Sequence, residues 1–216
     1  ELVSKEKPDV IVHCANNASK EWCDQNPQEA IALNKEATKY IVEAANGVGS
    51  KIIYISSLAA VSPKNLYGEL KQKSEKIVED VKAGYTILRP GVIIGYSPKI
   101  KKDGIFSTLM ENIRKKVPVA YDRVKLKEVT YLGYLCEIIK IILEKNIWRE
   151  IFSVIVPELK TKYEIAKDIL TPFGIPITGL VDDQQISRKE EDLSKLKEFH
   201  LPTYTYKQII SKIVEE

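Results

Sequence analysis

The apolar positions of this chain follow two different periods, and their alternation sets the expected architecture. VIVHCA (10–15) is a continuous apolar run after Pro8 and reads as a strand buried on both faces, as in a parallel sheet. In NPQEAIALNKEATKYIVEAANG (26–47) the apolar residues recur at helical spacing, with Asn26 as N-cap, Pro27 in the first turn and Gly47 as the stop. KIIYISS (51–57) reads as a second buried strand, 58–64 as a loop and 65–82 as a helix. YTILRPGVIIG (85–95) reads as a third strand broken at Pro90-Gly91. Strand, helix, strand, helix, strand with short connections predicts an α/β fold with a doubly wound parallel sheet.

Beyond residue 95 the order loosens. SPKIKKDG is a turn-rich loop, GIFSTLMENIRKK a helix and VPVAY a short strand. YLGYLCEIIKIILEKN (131–146) is a strongly apolar helix, core or a dimer face, and EIFSVIVP (150–157) a strand. TKYEIAKDILTPFG is a helix that stops at Pro172-Phe173-Gly174, ITGLV an edge strand, and DLSKLKEF and YKQIISKIVEE short helices. No internal repeat or low-complexity segment interrupts this order.

Composition narrows the function. The 216 residues, 44% hydrophobic and 29% charged, suffice for one domain, or for a domain with a smaller partner. A net charge of +3 and only short basic clusters argue against a nucleic-acid footprint. Cys14, Cys23 and Cys136 are odd in number and lack metal-ligand spacing, which suits reduced thiols in the cytoplasm. With only His13 and His200, a histidine metal site or a Ser-His-Asp triad has little to draw on. No apolar run reaches membrane-spanning length and the start has no signal-peptide pattern. The start also lacks Met, so the expectation is that the gene product is longer.

The candidate chemistry lies in NLYGELKQKSEKIVED (65–80), where Tyr67 and Lys71 are four apart on a helix. Spacing alone is weak: 11 tyrosines and 28 lysines give roughly 1.4 such pairs by chance, and Tyr121–Lys125 and Tyr163–Lys167 share it. Only Tyr67 follows a hydroxyl pair, Ser56-Ser57, at the carboxyl end of a strand, where α/β sheets bind ligands. Reduction of a ketone places negative charge on its oxygen. A phenol can donate the proton, an ammonium one turn away is expected to lower the phenol's pKa, and a serine hydroxyl can orient the same oxygen. Tyr67, Lys71 and Ser57 fit these roles.

These residues carry a family likeness. KPDVIVHCANNASKEWCDQNPQEAIALNKEAT, KIIYISS, YGELK, YTILRPGVIIG and the late ISRKEEDLSKLKEF together resemble the extended short-chain dehydrogenase/reductases, within them the dTDP-4-dehydrorhamnose reductase group. The resemblance implies a Rossmann domain with a smaller C-terminal substrate domain. Residues 1–95 would be the later portion of the former; 96–216 would be mainly the latter, with elements at about 117–148 returning to the Rossmann domain. It implies NADPH or NADH as cofactor and a nucleotide-linked 4-keto-6-deoxysugar as substrate. Ser57, Tyr67 and Lys71 would be catalytic. Ala15, Asn16, Tyr67, Lys71, Pro90, Gly91 and Val92 would line the cofactor, and Thr130 and Arg188 the substrate. No metal is implied, no nucleic-acid or membrane partner, and a homodimer stays open. Asn34 either holds backbone near the site or faces solvent. The glycine-rich phosphate-binding turn of the family is absent from these residues, and the Ser57–Tyr67 loop is short. A non-catalytic binding or regulatory relative and an NAD-dependent nucleotide-sugar 4-epimerase are the alternatives.

Overall fold

The computed structural model describes residues 1–96, 105–181 and 191–215. The chain divides into two compact units, Glu1–Pro90 with Ile139–Val154, and Gly91–Ile138 with Ile155–Glu216.

The first unit opens with a short helix, α1 (Leu2–Glu6), and is built on β1 (Val10–His13), β2 (Lys51–Ile55), β3 (Tyr85–Pro90) and β8 (Glu150–Val154), in the order β1-β2-β3-β8 with every neighbour parallel. The doubly wound parallel sheet expected from the apolar runs is therefore present. Helix α2 (Lys20–Gln25), a long helix α3 over 27–48 and α4 (Leu66–Val78) make the crossovers. Side chains of one sheet face, Ile52, Tyr54 and Ile87, pack with Val42 and Ala45 of α3 and Val78 of α4. On the alternate strand positions Ile53, Leu88 and Phe152 are buried as well, as a sheet covered on both faces requires. The exception is β1. Among the described residues it pairs only with β2, and its Val12 is 42% exposed although the run reads as fully buried.

Two local features depart from the sequence reading. The Asn26 side chain does not cap α3; its Nδ2 donates back to the Trp22 carbonyl and closes α2, a helix absent from the expected order. Helix α3 also contains a widened π turn at Ala32–Glu36, between α-helical Pro27–Ile31 and Ala37–Val48. Such turns gather at functional sites.

The second unit contains β4 (Val92–Ile94), α5 (Ile105–Lys115), β5 (Val119–Asp122), β6 (Leu126–Lys127), β7 (Val129–Tyr131), β9 (Lys160–Thr161), α7 (Lys162–Leu170), β10 (Ile177–Leu180), α8 (Ser194–Glu198) and α9 (Tyr206–Glu215), while α6 (Leu132–Lys145) runs from the second unit into the first. The strands form three two-stranded pairs: β4 with β7 and β5 with β10, both parallel, and β6 with β9, antiparallel. Thr161 and Glu164 close a reciprocal capping box at the start of α7. No described helix is long and apolar enough to cross a membrane.

Candidate active site

Tyr67 and Lys71 lie on one face of α4 because four residues make about one turn. The helix begins where it does for two reasons. The Asn65 side chain accepts from Gly68 N at 3.0 Å, and Asp24 Oδ1 accepts from Leu66 N at 3.2 Å. Gly68 lets this first turn approach the preceding loop, since a Cβ there would stand 2.7 Å from the Ala59 carbonyl oxygen. That loop needs few residues: Ser57 caps a 3₁₀ turn, Leu58–Ala60, its Oγ accepting from Ala59 N at 3.2 Å, and the chain reaches α4 within six more.

Tyr67 is buried against Cys23, Ala30 and Leu70. Its phenol pKa is raised, not lowered as the sequence suggested. Burial is the largest cause, the adjacent Ser57 hydroxyl pulls the other way, and Cys23 adds a smaller upward push. Ser57 and Tyr67 are thus together.

Lys71 is fully buried. Its Nζ donates to the Ile55 carbonyl at 2.8 Å, at the carboxyl end of β2, and to Tyr54 Oη at 3.2 Å, and it lies 4.6 Å from the centre of the Tyr54 ring. Burial lowers its pKa to about 8, against the opposing charges of Glu75 and Cys14. An ammonium has three N–H donors, so one remains beyond these two bonds.

Polar groups surround this pair. The Glu75 carboxylate, one further turn along α4, accepts from Ser56 Oγ at 2.5 Å, Arg89 Nε at 2.9 Å and Arg89 Nη2 at 2.6 Å. Asn34 is buried and does not face solvent. Its Oδ1 accepts from Asn17 N at 2.7 Å and its Nδ2 donates to Asn17 O at 2.9 Å, which fixes the segment after β1 that carries Ala15 and Asn16. The Asn34 carbonyl, in the π turn, accepts from Thr38 Oγ1 and Ser74 Oγ. The Thr38 hydroxyl also lies within hydrogen-bond distance of His13 Nε2, at 3.0 Å. Burial and the Lys71 charge push the His13 pKa down to about 4. Asn16 Nδ2 donates to Cys14 O at 3.0 Å, while its Oδ1 is buried without a hydrogen-bond partner.

Of the remaining expected residues, Pro90 ends β3 beside Arg89. In the second unit, Gly91 N donates to Thr130 Oγ1 at 2.9 Å and Val92 N to the Glu128 carbonyl at 2.7 Å; a Cβ on Gly91 would collide with that carbonyl. Thr130 is fully buried. Arg188 lies outside the described residues. The competing pairs keep different company, both in the second unit: Tyr163 stacks under Arg123 at 4.9 Å, and Tyr121 is on β5.

The RmlD substrate binding domain family matches residues 1–189. The chain belongs to this family. That places it among the extended short-chain dehydrogenase/reductases, in agreement with the motifs. A relative by sequence is methionine adenosyltransferase 2 subunit beta of Xenopus laevis, 26% identical over 197 residues, 83% of this chain and 59% of that protein. The chain thus spans less than two thirds of that relative's length. Among solved structures, dTDP-4-dehydrorhamnose reductase of Yersinia enterocolitica superposes with a TM-score of 0.80 at 23% identity, covering 99% of this chain and 83% of that one. The dTDP-4-dehydrorhamnose reductase of Bacillus anthracis in complex with NADP gives 0.83 at 17% identity, covering 100% and 83%. At these identities the likeness is one of fold.

Proposed function

We propose that this protein is an NAD(P)H-dependent reductase of a nucleotide-linked 4-keto-6-deoxysugar, with Tyr67 as proton donor. The observation that carries the reading is the convergence of the buried Tyr67 phenol, the Ser57 hydroxyl and the buried Lys71 ammonium around the carboxyl end of β2. NAD(P)H, when bound, supplies the hydride. Two features fit such a group: the unused N–H of Lys71, suited to a hydroxyl, and the unpartnered buried Asn16 Oδ1, suited to an N–H or O–H donor. Ala15, Asn16, Tyr67, Lys71 and Pro90 of the first unit would hold it.

The chain's own part is proton management. A phenol with a raised pKa stays protonated at neutral pH and so is ready to give its proton to an oxygen that gains negative charge. Ser57, with its Oγ already accepting from Ala59 N, has its own proton left to orient that oxygen. This protonated resting state suits reduction better than an epimerase, whose first step, an oxidation, needs the phenolate. The test is oxidation of NADPH in the presence of a dTDP-linked 4-keto-6-deoxysugar. Tyr67→Phe should lower kcat by about 10²–10⁴-fold with cofactor affinity retained; unchanged turnover in that variant refutes the assignment.

A second reading rests on the relatives named as methionine adenosyltransferase 2 subunit beta. Here the same site binds a dinucleotide without turnover and the protein serves as a subunit beside a methionine adenosyltransferase. NADPH binding with no reduction of any nucleotide sugar, together with co-elution with such an enzyme, would favour it.

A further inference from the structure

We propose that Glu75 is a positioning residue of this site: its single carboxylate ties the ends of β2 and β3 to the helix face that carries Tyr67 and Lys71. The inference rests on the reductase reading for its purpose, but its physical content is independent of turnover.

The geometry is specific. Glu75 follows Lys71 by four residues, as Lys71 follows Tyr67, so the three share one face of α4. Its Oε1 accepts from Ser56, the residue before Ser57, and from Arg89 Nε; its Oε2 accepts from Arg89 Nη2. Arg89 precedes Pro90 at the end of β3. One carboxylate therefore holds three segments in register: the strand end with the orienting hydroxyl, the strand end at Pro90, and the helix with the phenol and the ammonium. The Arg89 contact is the bidentate fork that fixes direction as well as distance. Glu75 is 4% exposed, so little water competes for these bonds.

Glu75 also acts on Lys71 through charge. The titratable groups around Lys71 are His13 and Cys14 from the β1 side, Tyr54 from β2, and Tyr67 and Glu75 from α4. Burial drives the ammonium toward deprotonation, and Glu75 is the largest opposing charge. Without it, the lysine would lose its proton closer to neutral pH.

The test reads Lys71 directly by NMR titration of ¹³Cε-labelled lysine in the intact chain, with Lys71→Arg assigning the resonance. Wild type should titrate near pH 8. In Glu75→Gln the Lys71 midpoint should fall by about one unit. If Glu75→Gln, with the Arg89 charge left un-neutralised, does not fold, the double variant Glu75→Gln/Arg89→Met removes both charges together and should fold; a fall in the same direction is expected there, smaller because a positive charge goes with the carboxylate. A Lys71 midpoint unchanged in a folded variant overturns the proposal. A shifted Lys71 in a protein without turnover supports the proposal and removes only the reductase reading.

Discussion

Asn34→Ala isolates what holds the segment after β1. The side chain replaces a strand partner: its amide meets both the N–H and the carbonyl of Asn17, and its Nδ2 also lies 3.5 Å from Cys23 Sγ. Truncation removes two hydrogen bonds with a net worth of about 1 kcal/mol each, and exposes their partners to a desolvation penalty of about 1–3 kcal/mol apiece if they stay dry. Asn17 is itself only partly buried, so water reaches part of the vacated site, and the loss should settle at about 2–3 kcal/mol. The same chain supplies the control. Asn46 makes the equivalent pair of bonds on the surface, donating to Asp80 O at 3.1 Å and accepting from Lys82 N at 2.8 Å. Water replaces both in Asn46→Ala, so that variant should lose less than about 1 kcal/mol. Both tryptophans, Trp22 and Trp148, are in the first unit, so urea unfolding followed by their fluorescence reports the right region. With a slope of about 2–3 kcal/mol per molar urea, the Asn34→Ala midpoint should fall by about 1 M. Equal losses in the two variants would refute the argument that burial, not bond count, sets the magnitude.

Three further outcomes follow from the same region. His13 has a folded pKa of about 4 against an ordinary 6.5, so the unfolded chain binds the extra proton first; stability should fall by about 3 kcal/mol between pH 6.5 and pH 4, and His13→Gln should flatten that limb of the urea-midpoint profile. For Lys71 the folded pKa of about 8 also lies below the unfolded value; the unfolded state holds more protons between pH 8 and pH 10, so this residue makes stability rise with pH there, and Lys71→Met should remove the rise in paired melts. Gly68→Ala pushes a methyl against the Ala59 carbonyl and should lower stability by about 1–3 kcal/mol in urea melts, a larger loss than in Gly47→Ala, where a Cβ meets nothing within 4 Å.

What the sequence disclosed follows from how each element is stabilised. The strands at β1, β2 and β3 are long apolar runs with turn residues between them, and the Tyr67–Lys71 face needs only the period of a helix. The short strands β6, β7 and β9 are two or three residues long and carry no period to detect. The π turn in α3 is invisible because its cause lies elsewhere: the Asn34 side chain and carbonyl bond Asn17, Thr38 and Ser74. Spacing gives the wrong direction for the Tyr67 shift because it places the lysine near the phenol but does not show where its ammonium points. The Lys71 Nζ is given to Ile55 O and Tyr54 Oη, and burial decides the rest. Glu75 was legible in principle, as a third residue continuing the four-residue spacing of Tyr67 and Lys71, but its value came from Ser56 and Arg89 on two separate strands.

Among the described residues one side of β1 has no strand partner, and for these 216 residues on their own this has a practical consequence. In a parallel ladder, residues alternate in which neighbour their N–H and carbonyl address. Lys51 N reaches Asp9 O, so Ile11 and His13 speak to β2, while the peptide groups of Val10 and Val12 point outward beside an apolar side chain. In a protein of these 216 residues alone, deuterium should enter Val10 and Val12 within the dead time of an exchange experiment and be held off from Ile11 and His13. The same outward groups, with no charge or proline in the strand to blunt them, form a template for another chain. Purification of these residues alone would then meet a concentration ceiling, and Val12→Lys is the substitution that should raise it.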